Sequence, residues 1–355
     1  MMDYQSMCDL YTEEKIFDTL EVKIKVGVTT YDSFKAYLVS GVQIENDAEP
    51  TSQIFNEIRK KIINSINKMT VTDKHSVSHV SWSAFYTFKE MFDLLEKNIP
   101  EDYSLFYRGQ GGGWQISPTL YRKGDQGGYS DEFRKNYDKI YKSIAQKFPE
   151  DLSYCAEVGS DERATNLAEL QHYGLGTPLV DVTENPFIAM LFMTMGYNSD
   201  VDNPNPQMDV FYIKDDETSS IFQNVTHLHQ NTRITAQKGA FLNFEKLDES
   251  VLAGNKKISR ICIKIEYQYL QITNVEDLSE PNEPALTVEE LNKNEKIALE
   301  TSVMDIASKL NSYHYSGSDL FPDFYKYLEG VKMKYADKDH TKQQWNTKFK
   351  VEKVS

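Results

Sequence analysis

The chain has 355 residues, of which 40% are apolar and 12% aromatic, enough to build a sizeable core in one large domain or two ordinary ones. Its formal net charge of −15 argues against a general nucleic-acid binder, because phosphate contacts need clustered Lys and Arg, and it also argues against an anionic membrane surface. No apolar run is long enough to span a bilayer, and residues 1–15 show no signal-peptide pattern. Three widely spaced cysteines complete the prediction of a cytoplasmic protein with reduced thiols: Cys8, Cys155 and Cys262.

Residues 1–76 are predicted to form a separate N-terminal segment of unknown role. Alternating apolar residues predict a strand over residues 21–28, and isoleucines at four-residue spacing predict a helix over residues 51–69. The polar stretch 70–78 is the predicted linker. The segment carries no motif that points to a chemistry.

Residues 77–336 are predicted to mix helices and strands. Helices are expected over residues 81–98, 131–148, 161–173, from Asn185 to about Met195, from Thr287 onwards, and from Pro322 to about Tyr335. Strands are expected over residues 104–108, 209–214, 233–237, 240–244 and 258–265. The pattern predicts an α+β fold, a curved and mostly antiparallel sheet with surrounding helices, after a small N-terminal α/β segment. Residues 337–355 are predicted to be a polar tail.

Arg108 ends a predicted strand and precedes a turn, residues 109–113, with four glycines in five positions. A planar guanidinium there can grip a phosphate with two hydrogen bonds, and the glycines can bring backbone close to a ligand. No Lys-Ser/Thr follows, so the turn is not a P-loop. The alternative for Arg108 is a structural ion pair with a carboxylate, which spacing alone slightly favours.

His172 and Asp181 flank a second turn. His172 can exchange a proton with a ligand, or it can bond a backbone carbonyl, which is the commoner use. Asp181 can orient Arg108 or His172, or it can cap the helix that follows Asn185.

Arg233 and Gln237 lie four residues apart on a predicted strand and share one side of it if no bulge intervenes. His227 and His229 have no further Cys or His near them in the sequence. We therefore expect surface residues there and no metal site.

These motifs, taken in order, resemble one known family. They are Phe106-Tyr107-Arg108-Gly109-Gln110, Trp114 through Arg122, Gln171-His172-Tyr173-Gly174, Thr177 through Thr183, Asn185-Pro186 and Arg233 through Phe241. The pattern resembles the FRG domain, named for a Phe-Arg-Gly motif, over roughly residues 81–328. The first 76 residues are not covered.

FRG domains are largely uncharacterised bacterial and phage-associated modules whose motif order is similar to that of ADP-ribosyltransferases. The resemblance implies NAD as the substrate, with Arg108 holding its phosphate and Thr183 or Thr177 shaping the nicotinamide pocket. Gln237 would polarise the ribose, and Glu245 is a substitute for the glutamate that Gln237 replaces. The implied catalytic residues are Arg108, His172, Thr183 and Gln237. The implied substrate-binding residues are Tyr107, Gln110, Trp114, Tyr173, Thr177, Asp181 and Arg233.

Two functions from different classes follow. The first is transfer of ADP-ribose from NAD to a macromolecular acceptor, in a toxin or phage-defence effector. The alternative is a non-catalytic module that binds a nucleotide or a protein, which Gln237 in place of Glu favours. A nuclease-like effector is disfavoured by the acidic charge. No metal, membrane or non-specific nucleic-acid partner is expected.

Overall fold

A computed structural model describes residues 4–31, 34–45, 56–57, 59–62, 64, 83–122, 128–214, 221–223, 239–248, 252, 257–269 and 287–320. Several expected features lie outside these residues: the linker 70–78, most of the helix 51–69, His227, His229, the strand 233–237, the helix after Pro322 and the tail 337–355.

The helices in the described part are α1 (Tyr4–Leu10), α2 (Glu13–Ile16), α3 (Ala84–Lys97), α4 (Asp131–Lys147), α5 (Asp161–His172), α6 (Pro186–Met195), α7 (Val288–Ser312) and α8 (Gly317–Leu320). The strands are β1 (Phe17–Tyr31), β2 (Phe34–Glu45), β3 (Tyr103–Gln110), β4 (Leu179–Thr183), β5 (Gln207–Lys214), β6 (Phe222–Gln223), β7 (Gly239–Asn243) and β8 (Ile258–Tyr267). Single 3-10 turns occupy Thr119–Tyr121 and Phe244–Lys246.

The described strands form one sheet in the order β2-β1-β8-β5-β3-β4-β7-β6. Every neighbouring pair is antiparallel except β1 and β8, which run parallel from Phe17 opposite Ile258 to Val26 opposite Tyr267. The predicted α+β fold with a mostly antiparallel sheet is confirmed.

The N-terminal strands extend this sheet and do not form a sheet of their own. The alternating apolar side chains of β1, among them Val22 and Ile24, are fully buried and need the cover that the rest of the molecule provides. The division of the chain at residues 76 and 336 stays a prediction.

Two apolar clusters lie on opposite faces of the sheet. Along β3, Leu105 and Tyr107 belong to the cluster with α3, α6 and α7, whereas Phe106 belongs to the cluster with α1, α4 and α5. This alternation follows from the two-residue period of a strand. Arg108 therefore projects on the same face of β3 as Phe106.

Helix α6 is buried and packs across β3, as its apolar sequence predicts. The Asn185 side chain caps it, accepting hydrogen bonds from the backbone N–H groups of Phe187 at 2.9 Å and Ile188 at 3.4 Å. A Cβ added at Gly109 would lie 1.8 Å from the carbonyl oxygen of Ala189 in this helix. A Cβ at Gly111 would lie 2.0 Å from the carbonyl group of Gly196.

The Gly-rich stretch therefore differs from its expected role beside a ligand. Gly109 is part of β3, and the bend begins only at Gly111. At both positions a side chain would collide with backbone, that of Ala189 within α6 for Gly109 and that of Gly196 after α6 for Gly111.

Other boundaries moved for local reasons. The predicted strand 240–244 ends at Asn243, whose side chain accepts a hydrogen bond from Glu245 N at 2.9 Å and starts a 3-10 turn at Phe244. The predicted capping box at Thr287 is present, with Glu290 completing it. Strands β2, β4 and β6 were not predicted.

Candidate functional site

Arg108 lies half-buried on β3 and reaches the neighbouring strand β4. Its Nη1 donates a hydrogen bond of 2.8 Å to the backbone carbonyl of Asp181. Its Nε is buried and has no hydrogen-bond partner among the described residues. Within that part of the chain Arg108 also forms no ion pair, so the expected structural pairing with a carboxylate is not found there. A buried donor without a partner costs about 1–3 kcal/mol, a cost that a bound acceptor would remove.

The carboxylate of Asp181 is held by a chain of polar side chains. Gln171 Nε2 donates to its two oxygens at 2.9 and 2.8 Å, and the fully buried Thr177 donates from Oγ1 to Gln171 Oε1. Asp181 does not cap α6, because Asn185 does. Burial raises the pKa of Asp181, and the positive charge of Arg108 opposes that rise.

Arg122 is the second cation at this place. It follows the 3-10 turn Thr119–Tyr121 and is half-buried. Burial and then the nearby charge of Arg108 lower the pKa of Arg122, whereas Asp181 raises it. Burial also lowers the pKa of Arg108, and Asp181 opposes that too. Both guanidinium groups remain charged at neutral pH, since an arginine does not lose its proton in proteins.

Two guanidinium groups thus lie within electrostatic range of one carboxylate, that of Asp181. Asp209 lies opposite Arg108 on β5 but is already neutralised, because Arg260 donates to it from Nε at 2.9 Å. No side-chain hydrogen bond or ion pair joins Arg122 to any residue that the structure describes. The local charge is therefore positive, in a chain with a net charge of −15. We call Arg108, Arg122, Asp181, Gln171 and Thr177 the two-arginine site.

Sequence reasoning did not select Arg122 or Gln171 as site residues. Each stood inside a motif of the family resemblance, Arg122 at the end of one and Gln171 at the start of another. That position was the only signal, because nothing local shows that Arg122 lies beside Arg108, fourteen positions earlier.

Three predicted residues have structural contacts instead. Tyr107 is 2% exposed and lies in the core on the other face of β3, with its ring edge-on to Phe92 at 5.6 Å, so no ligand can stack on it. Gln110 is buried and donates from Nε2 to the Trp114 carbonyl at 2.9 Å. The Thr183 hydroxyl accepts a hydrogen bond from Asn185 N at 3.1 Å, just before α6.

The other predicted residues are more open or not described. Trp114 is 44% exposed and Tyr173 is 71% exposed, so both rings are accessible. His172 is half-buried at the end of α5, next to Gln171. Arg233 and Gln237 lie outside the described residues, so convergence on one place is established for Arg108 and Asp181 and stays a prediction for His172 and Gln237.

Glu245 is not available as a substitute for a catalytic glutamate. It is 3% exposed and lies in a buried ion pair, with Arg163 Nε 3.0 Å from each of its oxygens. Arg163 is held further by the Cys155 carbonyl at 2.7 Å and by Asp138 at 3.1 Å. Such a saturated pair is a structural element, because freeing Glu245 would leave a buried cation unpaired.

A comparison with protein families gives a match to the FRG domain over residues 103–202. Residues 103–202 are therefore similar to the FRG domain. The matched range is shorter than the resemblance read from the motifs, but every residue of the two-arginine site lies inside it. Comparisons with curated proteins and with solved structures gave no match.

The residues that the structure describes include no helix that combines the length and apolar character needed to cross a membrane. They also contain no group of three or more His, Cys, Asp or Glu placed to hold a metal ion.

Proposed function

We propose that the FRG domain binds NAD by its pyrophosphate at the two-arginine site and transfers ADP-ribose to a macromolecular acceptor. The binding step is supported by one observation: the Nε donor of Arg108 is buried without a partner among the described residues, and the charge of a second guanidinium, that of Arg122, lies near it. Guanidinium groups match phosphate oxygens in both charge and planar geometry.

The reaction breaks the bond between the ribose C1′ and the nicotinamide nitrogen. The acceptor nucleophile forms a bond to C1′ and gives up its proton, and neutral nicotinamide leaves. Holding the pyrophosphate fixes the ribose in place, and such positioning lowers the barrier to reaction. The accessible rings of Trp114 and Tyr173 are candidates for stacking on the bases. The transfer step itself rests on the family resemblance.

The second candidate is non-catalytic binding of a nucleotide, and the state of the carboxylates favours it. Asp181 accepts two hydrogen bonds from Gln171, and Glu245 is paired with Arg163. Among the described residues of the site, no carboxylate is left free to polarise a ribose hydroxyl. Binding of a nucleotide needs only the two guanidinium groups, so both candidate functions share this step.

Labelled NAD separates the candidates. Calorimetry measures binding, whereas released nicotinamide and labelled acceptors in a cell lysate measure transfer. Both are measured for the full chain, for Arg122→Ala and for the control Lys135→Ala, which lies on the exposed side of α4. The enzyme is supported if the unaltered chain and Lys135→Ala release nicotinamide and Arg122→Ala does not. Binding without release leaves the binding module. No binding by the unaltered chain overturns both.

A further inference from the structure

Residues Tyr4–Ile16, which comprise α1 and α2 and which we call the N-terminal strap, lie outside the family match but pack on the FRG domain. Met7 and Ile16 are buried in the same apolar cluster as Tyr121. The strap therefore shares a core with the segment that carries Arg122.

The strap holds the beginning of the segment 116–122 through its backbone. The Tyr11 hydroxyl donates a hydrogen bond to the carbonyl of Ile116. The N–H of Ile116 donates to Glu13 Oε1 at 2.6 Å. Both polar backbone groups of this buried residue are thus satisfied by the strap, as buried backbone requires.

The strap also holds the end of the segment. Cys8 Sγ donates to the carbonyl of Tyr121 at 3.3 Å. Gln5 Oε1 accepts a hydrogen bond of 2.7 Å from Nε of the buried Arg134, whose Nη1 donates to the carbonyl of Arg122 at 3.3 Å.

Apart from the strap, the segment is held by the burial of Leu120 and Tyr121 in the core and by the Tyr121 hydroxyl, which donates to the Phe244 carbonyl at 3.4 Å. The segment lies outside the sheet and contains a single 3-10 turn, which is a weak element by itself. Its backbone bonds to the rest of the domain include one from Leu120 N to the Thr177 carbonyl at 3.2 Å. The strap and Arg134 account for contacts at both of its ends.

We propose that the N-terminal strap is a positioning part of the two-arginine site, which holds residues 116–122 and thereby fixes the backbone from which the Arg122 side chain extends. The inference rests on the proposed function for its ligand but not for its geometry. It assigns a task to residues that the FRG match does not cover.

The test compares Glu13→Ala with Glu14→Ala, its exposed neighbour on the same short helix. Tyr11→Phe, which removes one hydroxyl, is the milder second variant in case Glu13→Ala does not fold. Hydrogen exchange of residues 116–122 reports the position of the segment, and calorimetry with NAD and with inorganic pyrophosphate reports the site. Each strap variant is also combined with Arg122→Ala.

We expect faster exchange at Ile116 and an affinity at least about fivefold weaker in Glu13→Ala and Tyr11→Phe, with Glu14→Ala unchanged. Because the strap acts through Arg122, the loss should vanish in the Arg122→Ala background, whereas general destabilisation, including loss of the Glu13–Arg260 pair, would persist there.

The results separate the two proposals. If Arg122→Ala weakens binding but the strap variants do not, the strap inference is wrong and the proposed function stands. If the unaltered chain binds neither probe, the proposed function fails, and hydrogen exchange alone decides whether the strap holds the segment. Loss of protection at residues 116–122 in Glu13→Ala supports the strap inference, and unchanged protection overturns it.

Discussion

At the scale of single residues, the half-buried Arg108 is the unusual feature. Its Nε is buried without a partner among the described residues, next to a second cation and near one carboxylate. A purely structural arginine would have its donors satisfied, as Arg163 has in its pair with Glu245. The contrast between these two arginines is the reason to expect a ligand at the first.

Replacing Arg108 by Met should remove anion binding without unfolding the protein. Loss of a charge-assisted contact costs about 1.5–3 kcal/mol, or roughly tenfold or more in affinity. The free energy of unfolding should stay the same or rise, since the change removes a buried donor that lacks a partner. Calorimetry with pyrophosphate and urea unfolding measure the two quantities. Arg163→Met is the contrast, because it should destabilise by about 3–5 kcal/mol; equal destabilisation by both changes would contradict the assignment.

Asp181→Asn should change how binding depends on pH. Burial raises the pKa of Asp181 above the ordinary aspartate range, so its carboxylate is neutralised as the pH falls through that raised value. The two guanidinium groups then act without an opposing charge, and pyrophosphate should bind more tightly at acidic pH than at neutral pH. The variant should lack the part of this pH dependence that comes from Asp181, and the difference between the two proteins separates it from the titration of pyrophosphate itself.

The same group links stability to pH. A carboxyl whose pKa is higher in the folded state contributes stability below its unfolded pKa and loses it as the pH rises through the folded pKa. The free energy of unfolding of the unaltered chain should therefore fall relative to that of Asp181→Asn as the pH rises from about 4 to neutral. The exposed Asp151→Asn is the control. A stability difference that stays constant across this range would contradict a raised pKa of Asp181 in the folded state.

At the scale of elements, the contact between β3 and α6 fixes the position of the backbone that carries Arg108. Gly109 follows it directly and touches the backbone of Ala189. The glycine next to the arginine therefore has a packing role that is separate from any ligand.

Gly109→Ala should destabilise the protein by roughly 1–3 kcal/mol or more, because its Cβ would meet backbone atoms that cannot move alone. Gly41→Ala in β2 is the matched control, since a Cβ there meets nothing within 4 Å. It should stay within about 0.5 kcal/mol of the unaltered chain. Equal urea midpoints for the two variants would show that β3 and α6 separate easily.

Leu191→Ala tests the burial of α6 itself. Leu191 is 6% exposed, and its truncation should cost about 2–5 kcal/mol through lost transfer energy and a cavity. Met195, 37% exposed at the end of the same helix, should tolerate the same change with a much smaller loss. The free energy of unfolding from urea titration measures both, and a loss near zero for Leu191→Ala would mean that the helix is not packed as described.

At the scale of the whole molecule, the N-terminal strands close one side of the central sheet. Strand β8 lies between β1 and β5, so removal of β1 would turn a buried strand into an edge. The apolar face of β8, with Ile261, Ile263 and Ile265 fully buried, would lose cover. Unpaired apolar edges favour aggregation.

A fragment of residues 77–355 should therefore aggregate or unfold, although it contains the whole family match. Size-exclusion chromatography and circular dichroism measure this. The full chain and a full chain with Lys23→Ala, which changes only a surface ion-pair cluster, serve as controls. A folded monomeric fragment would instead support the predicted division of the chain at residue 76.

The sequence alone was sufficient for features that depend on neighbours along the chain. Asn185-Pro186 predicted the start of α6, the Thr287 box predicted the start of α7, and the order of the motifs predicted the match to the FRG domain. Arg108 was correctly placed on a strand, although that strand continues for two residues beyond its predicted end. Capping and periodicity arise within one or two turns, so they can be read locally.

Only the tertiary structure decided which distant residues meet. It brought Arg122 within electrostatic range of Arg108, placed Glu245 against Arg163 and β1 beside β8, and turned Tyr107 into the core. The physical reason is that these contacts depend on the register of strands and on how chain segments far apart in sequence pack. Neither composition nor spacing carries that information.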